Sequence, residues 1–242
     1  MAKGQPDFGQ YAPTETIVGL SDLGELAARL GSIVTFDRRG NVIWMDDFEN
    51  GIRQWCPFGI GTWSVDWESN YSKTGGFSCK LTTDAIAGRS VNIQKYIGFP
   101  ILSAIGLEAS FSNEQNWRYL EIWLWLDDGT YEYNAVIRYD HPNKKLQYMD
   151  ATGAYQDIVG GSYETPDYPE WFDTLKFVAD FTTCKYKRLL VNSKVFDLSA
   201  LSFEKDPFAT TPQMVVAFRL TTNANAAAIG YIDDVIITQN EP

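Results

Sequence analysis

The run Trp117-Arg118-Tyr119-Leu120-Glu121-Ile122-Trp123-Leu124-Trp125-Leu126 puts Leu120, Ile122, Leu124 and Leu126 on one parity and Trp117, Tyr119, Glu121, Trp123 and Trp125 on the other. Successive side chains of a strand point to opposite faces, so this pattern predicts a strand with an aliphatic face toward a core and a ring-rich face outward. The turn residues Asp127-Asp128-Gly129-Thr130 follow, and then a second patterned run, Tyr131 to Tyr139. Two strands joined so tightly form an antiparallel hairpin, because a parallel pair needs a long crossover. On the second strand Tyr131, Tyr133, Ala135, Ile137 and Tyr139 share one side, and Glu132, Asn134, Val136 and Arg138 share the other.

The same grammar continues through most of the chain. Short β-branched and aromatic runs recur, among them Thr62 to Asp66, Phe77 to Thr82, Val91 to Ile97, Leu107 to Ser112, Leu175 to Phe181, Met214 to Thr221 and Tyr231 to Thr238. About twelve such strands with turn residues between them predict an all-β fold, an antiparallel jelly-roll β-sandwich, over residues 41–242. No fixed-period repeat occurs, which excludes propellers and solenoids. Residues 1–40 read differently: residues 1 to about 20 mix Gly, Pro, Gln and Thr without a period, an extended N-terminal arm. One short helix follows at 21–30, with Ser21 as its cap, Gly31 beyond its end and Leu23, Leu26, Ala27 and Leu30 on one stripe. Ile33-Val34-Thr35-Phe36 and Asn41-Val42-Ile43-Trp44 flank Asp37-Arg38-Arg39-Gly40, a hairpin that would carry the sandwich back to Ile33.

Charge and cysteine usage narrow the function classes. With 31 acidic against 20 basic residues and a net charge of -11, the chain lacks the Lys/Arg excess that grips phosphates, so no nucleic acid is expected as a partner. Three cysteines, Cys56, Cys79 and Cys184, show neither CxxC nor Cys/His spacing, and free thiols fit completion in a reducing host cytoplasm. The first residues lack the apolar core of a signal peptide and no apolar run approaches the roughly 20 residues of a membrane helix, so no membrane partner is expected.

Two segments carry a resemblance. Asp47-Phe48-Glu49-Asn50-Gly51, Trp55, Gly61-Thr62-Trp63-Ser64-Val65 and Gly75-Gly76-Phe77-Ser78-Cys79-Lys80-Leu81 resemble the opening of jelly-roll carbohydrate-binding modules and related concanavalin-like domains. Gly230-Tyr231-Ile232-Asp233-Asp234-Val235-Ile236-Ile237 is similar to their last strand. The resemblance implies that the first and last strands lie side by side. It also implies a structural calcium, for which Asp47, Glu49, Asp233 and Asp234 are the candidate ligands together with backbone carbonyls near Lys73 to Gly76; the alternative is that these acids cap strand ends. Separately, Gln5-Pro6-Asp7-Phe8-Gly9, the stretch Leu30 to Gly40 and the tail Thr238-Gln239-Asn240-Glu241-Pro242 resemble an uncharacterised phage-type virion structural protein group, which implies a capsid decoration or tail-associated protein.

The candidate site is therefore the ring-rich face: Trp117, Tyr119, Glu121, Trp123 and Trp125, with Asn134 and Arg138 beside them. Stacking rings and hydrogen-bonding side chains suit a sugar platform, and the same residue types suit a subunit interface or packing of the arm. Catalysis is not expected. Glu121 and Asp127 stand roughly 20 Å apart along one strand, too far to flank one glycosidic bond. His141 is the single histidine and sits in an Asp140-His141-Pro142-Asn143 turn. The loop Tyr163 to Phe172 reads as a proline-marked surface loop anchored by Trp171. The leading expectation is a non-catalytic virion component that attaches to other virion proteins and to copies of itself through arm and aromatic face. The alternative is a carbohydrate-binding module recognising a glycan through a Trp/Tyr platform.

Overall fold

The computed structural model describes residues 39–98, 102–223 and 226–242. The expected helix, the arm and the hairpin half at Ile33 to Phe36 lie outside the described residues. Within them the chain forms strands β1 (Asn41–Asp46), β2 (Cys56–Ile60), β3 (Trp63–Glu68), β4 (Ser78–Thr83), β5 (Ser90–Gly98), β6 (Ala104–Gln115), β7 (Trp117–Asp127) and β8 (Tyr131–Asp140). They continue as β9 (Lys145–Met149), β10 (Tyr155–Ser162), β11 (Asp173–Asp180), β12 (Lys185–Val191), β13 (Lys194–Asp197), β14 (Glu204–Pro207), β15 (Gln213–Thr222) and β16 (Ile229–Gln239).

These strands make two antiparallel sheets, a jelly-roll sandwich. Sheet I runs β13-β12-β11-β6-β16-β4-β3, with β1 also on β16; sheet II runs β10-β9-β8-β7-β15-β5-β2, with β14 also on β8. The expected closeness of the first and last strands is present, since Asn41 pairs with Gln239 and Asp46 with Val235.

The aliphatic parity of β7 faces the core. Leu120, Ile122, Leu124 and Leu126 are buried with Met214, Val216, Phe218 and Leu220 of β15 against Leu107, Ala109, Phe111, Leu175 and Phe177 of sheet I. Each such side chain contributes about 1.5–3 kcal/mol when fully removed from water. Trp55 ties the first turn to this core: its ring packs on Phe48 and Phe218, and its indole N–H donates to Asp46 Oδ2 at 2.9 Å.

Two strand edges are shared by two partners each. One edge of β16 takes β4 at Ile229–Ile232 and β1 from Val235 onward. One edge of β8 takes β14 at Tyr131–Asn134 and β9 at Ile137–Asp140. At the second hand-over Tyr186 crosses the core from sheet I. Its hydroxyl accepts from Val136 N–H at 2.9 Å and shares its proton between the carbonyls of Val136 (3.1 Å) and Met149 (3.0 Å). Buried backbone groups that no strand reaches are thereby satisfied.

Candidate functional site

Register along sheet II lines up its outward side chains in rows. One row is Gln147–Arg138–Glu121–Arg219–Asn92–Phe58, crossing β9, β8, β7, β15, β5 and β2. The next places Val136, Trp123, Ala217 and Gln94 abreast, and the next Asn134, Trp125, Val215 and Tyr96. The outward positions of β15 in these two rows are thus small, Ala217 and Val215, and they lie between indoles on one side and long side chains on the other. A trough follows from that size contrast. Its volume is about 320 Å³, with Trp123 and Trp125 on the β7 wall, Phe58 and Ile60 on the β2 wall, and Ser90, Asn92, Gln94 and Arg219 as polar lining. Walls on β7 and β2 stand three strand spacings apart, roughly 14 Å.

Phe58 and Ile60 are 45% and 50% exposed. Three polar atoms of the trough's lining residues, Ser90 Oγ, Trp125 Nε1 and Arg219 Nε, are buried without a hydrogen-bond partner. Such orphans carry a cost of about 1–3 kcal/mol each.

Beside the trough Glu121 is the centre of an ion cluster. Tyr155 donates its hydroxyl to Glu121 at 2.6 Å, and the guanidinium groups of Arg138 and Arg219 face the carboxylate at 3.8 and 3.7 Å. The Arg138 guanidinium is sandwiched between the rings of Tyr119 (4.1 Å to centroid) and Tyr155 (3.5 Å), and Gln147 Oε1 accepts from it at 2.6 and 2.8 Å. Burial first, then the Glu121 charge, pushes the Tyr155 hydroxyl well above its ordinary range, so it stays protonated as a donor.

The residues singled out from sequence therefore part company. Trp123 and Trp125 line the trough, while Tyr119, Glu121 and Arg138 brace its flank. Asn134 stands opposite Trp125 on the neighbouring strand, its amide already given to Glu132 Oε1 (2.8 Å) and Glu204 Oε2 (3.0 Å). Trp117 is a correction: it is buried in the core, and its indole donates to Ile229 O at 2.8 Å. The cause is a register shift between Thr221 and Thr222 opposite β7, preceded by Asn116 at φ 59°, which turns the ring inward. Gly230 makes room, since a Cβ there would lie 2.4 Å from Trp117 Cζ2.

The acids of the first and last strands are each tied down by nearby hydrogen-bond donors, mostly in the loop before β4. A bulge in β16 inserts one residue between the pairs Asp233–Ser110 and Ile236–Glu108, and Asp234 adopts φ 51°. Asp233 Oδ2 accepts from Lys73 N–H at 2.7 Å, Asp234 Oδ1 from Thr74 Oγ1 at 2.7 Å, and Glu49 Oε1 from Gly76 and Phe77 N–H at 2.7 and 2.9 Å. Asp47 Oδ1 accepts from Glu49 N–H at 3.2 Å. Burial, reinforced by Asp234, pushes the Asp233 carboxyl up to about 8; burial, reinforced by Asp47 and Glu49, pushes Asp234 up to about 6. Asp234 Oδ2 is buried without a partner. Among the described residues no three His, Cys, Asp or Glu side chains gather as a metal cluster, so a calcium ion here would draw on backbone carbonyls as well.

The trough's far wall and floor were missed in the sequence. Cys56-Pro57-Phe58-Gly59-Ile60 carries a proline and a glycine that argue against a strand, and both are tolerated because β2 is an edge.

The fold is that of an antiparallel jelly-roll β-sandwich. A scan against protein-family models finds no match, and neither does a search of the curated proteins. Among solved structures it is similar to Cellulose induced protein, Cip1, at 12% identity and TM-score 0.56, covering 81% of this chain and 96% of that one. It is similar to endo-β-1,4-glucuronan lyase from the fungus Trichoderma reesei at 11% identity and TM-score 0.55, with 82% and 96% covered. The carbohydrate recognition domain of Emp47p matches at 11% identity and TM-score 0.50, with 84% and 98% covered. At these identities the likeness is one of fold.

Proposed function

We propose that the chain is a carbohydrate-binding domain and that the trough on sheet II holds the glycan. The observation that carries this reading is the trough itself: two indoles facing Phe58 and Ile60 across the small side chains Ala217 and Val215, with Asn92, Gln94 and Arg219 as polar lining. Sugar rings present apolar C–H faces and a rim of hydroxyls, which such a mixture of flat rings and amide or hydroxyl groups complements. Fold neighbours named for carbohydrate recognition and for glucuronan cleavage support the same class. Glu121 is tied to Tyr155 and two guanidinium groups, so the role assigned to it is bracing the Trp123 wall, and the chain's role is binding.

Affinity electrophoresis through gels containing soluble plant, fungal and bacterial polysaccharides tests the reading. Wild type should be retarded by at least one, and Trp123→Ala should lose at least tenfold in affinity, about 1.4 kcal/mol. Unretarded migration of wild type in every gel defeats it. Particle attachment and self-association, the leading expectation from the sequence, gain no support from the comparisons, and the arm that motivated them lies outside the described residues.

We further propose that calcium binds at Asp234, beside Asp47, Glu49 and Asp233. The buried, unpartnered Asp234 Oδ2 supports this, because an uncompensated oxygen in an acidic, buried setting is what a hard cation stabilises.

A further inference from the structure

A second exposed aromatic pair lies on the loop between β10 and β11, away from the trough. The expectation that Trp171 anchors this loop is reversed: Trp171 is 64% exposed and Tyr168 59%. Polar bonds from the body of the protein hold the loop instead. Ser112 Oγ lies within hydrogen-bond distance of the carbonyls of Tyr168 (3.1 Å) and Pro169 (2.8 Å), and Thr165 N–H donates to Tyr139 Oη at 3.1 Å. Asp167 is gripped by Asn113 and by His141 Nε2, the latter at 3.1 Å. Trp171 N–H closes a turn onto Tyr168 O at 3.0 Å, with Pro169 in the second position, where its fixed φ suits the turn.

None of these bonds uses the two rings. They stand 5.8 Å apart at 44° on a backbone fixed from below, so little ordering entropy remains to be lost on binding. Beside them opens a cavity of about 400 Å³ whose polar lining is Ser72, Lys73, Glu170 and Asp173. A large exposed ring on a rigid loop is a contact group in waiting, since burying a tryptophan removes 150–250 Å² from water. The neighbouring hydroxyl, ammonium and carboxylates offer donors and acceptors together. Lys73 Nζ already gives protons to Thr174 Oγ1 (3.0 Å) and Phe172 O (3.5 Å), and Asp173 accepts from Thr165 and Asn192. The capacity left over is the third proton of Lys73 and the exposed carboxylate of Glu170, which an apolar peptide face would cover and a chain of hydroxyl-bearing rings matches.

We propose that Tyr168 and Trp171 form a second saccharide-contact site, separate from the trough and independent of it. The probe set is three soluble neutral hexaoses, of β-1,4-linked glucose, xylose and mannose, titrated into the ¹⁵N-labelled full chain. The Trp171 indole N–H signal, identified by its disappearance in Trp171→Ala, should shift saturably with at least one hexaose, in wild type and in Trp123→Ala alike. Tyr168→Ala should weaken that shift at least tenfold while leaving the melting temperature unchanged, which guards against a folding artefact.

A Trp171 signal unmoved by all three sugars overturns the site, even where the Trp123 signal moves and the trough reading stands. A Trp171 shift that follows protein concentration rather than sugar also overturns it, and assigns the ring pair to contact between copies of the chain. Saturable Trp171 shifts with no sugar response at Trp123 support this site and count against the trough.

Discussion

The guanidinium of Arg138 lies 3.5 Å from the ring centroid of Tyr155, and the Tyr155 hydroxyl donates to the same carboxylate, Glu121, that Arg138 faces. Cation, ring and anion close a triangle on the outer face of sheet II. Removing the cation leaves Glu121 nearly buried with only Arg219 opposite. Arg138→Leu should therefore destabilise the chain by about 3 kcal/mol, the low end of the range for breaking a buried pair. Arg138→Lys should fall between, because an ammonium lacks the flat face that stacks on Tyr119 and Tyr155. Urea midpoints give both values; equal midpoints for wild type and Arg138→Leu would show the triangle to be inert.

Tyr186→Phe tests the gap between β14 and β9. The substitution keeps the ring packed against Phe203 and Tyr148 but removes the oxygen that serves Val136 N–H, Val136 O and Met149 O. An unserved buried amide costs about 1–3 kcal/mol, so the urea midpoint should drop accordingly. The amide of Val136 should also exchange with solvent faster than in wild type.

Asp150 organises the turn between β9 and β10. It accepts from Thr152 N–H and Oγ1, from Ala154 N–H and from Gln156 Nε2, and these bonds hold its carboxyl down at about 2. A folded value below the unfolded one means the contribution is present above about pH 4 and is lost as pH falls through about 2. The amide signals of Thr152 and Ala154 should titrate with a midpoint near 2. A midpoint near the ordinary aspartate value would show the turn bonds to be absent in solution.

Calcium has a direct thermal signature. Added at about a hundredfold excess over its dissociation constant, it should stabilise by about 2.7 kcal/mol, or roughly 5–10 °C in a chain of this size. Chelator should reverse the gain, and Asp234→Asn should melt at the same temperature with and without the ion. Identical wild-type melts in calcium and in chelator would remove the ion from the account.

How much of this was legible in the sequence follows from the range of the interactions. The faces of β7 were readable because alternation is local; β8 alternates as well, but which of its sides turns inward is set by its pairing with β7, Ala135 opposite Leu124. Trp117 broke the pattern because parity holds only while the register does, and the shift near Thr221 depends on a strand about a hundred residues away. The trough was not readable at all: it exists because Ala217 lies beside Trp123 and beside Gln94, adjacencies set by strand pairing across the whole chain. Strands β2, β10 and β14 escaped notice because proline, glycine and charge dominate Cys56–Ile60, Tyr155–Ser162 and Glu204–Pro207, and each lies at a sheet edge or flanks a single strand.

The place of β16 bears on how the molecule comes into being. Residues 229–239 are the last strand in sequence, yet they lie in the middle of sheet I, with β6 on one side and β4 and β1 on the other. A ribosome delivers the chain from its N-terminal end, so β3 with β4 and β6 with β11 to β13 emerge as two half-sheets with no strand between them. Their open edges stay available to other chains until the closing strand appears, and pairings this distant in sequence form slowly. Truncation before residue 229 should leave the two halves unjoined and prone to aggregate, whereas the loss of β1 removes only a flanking strand.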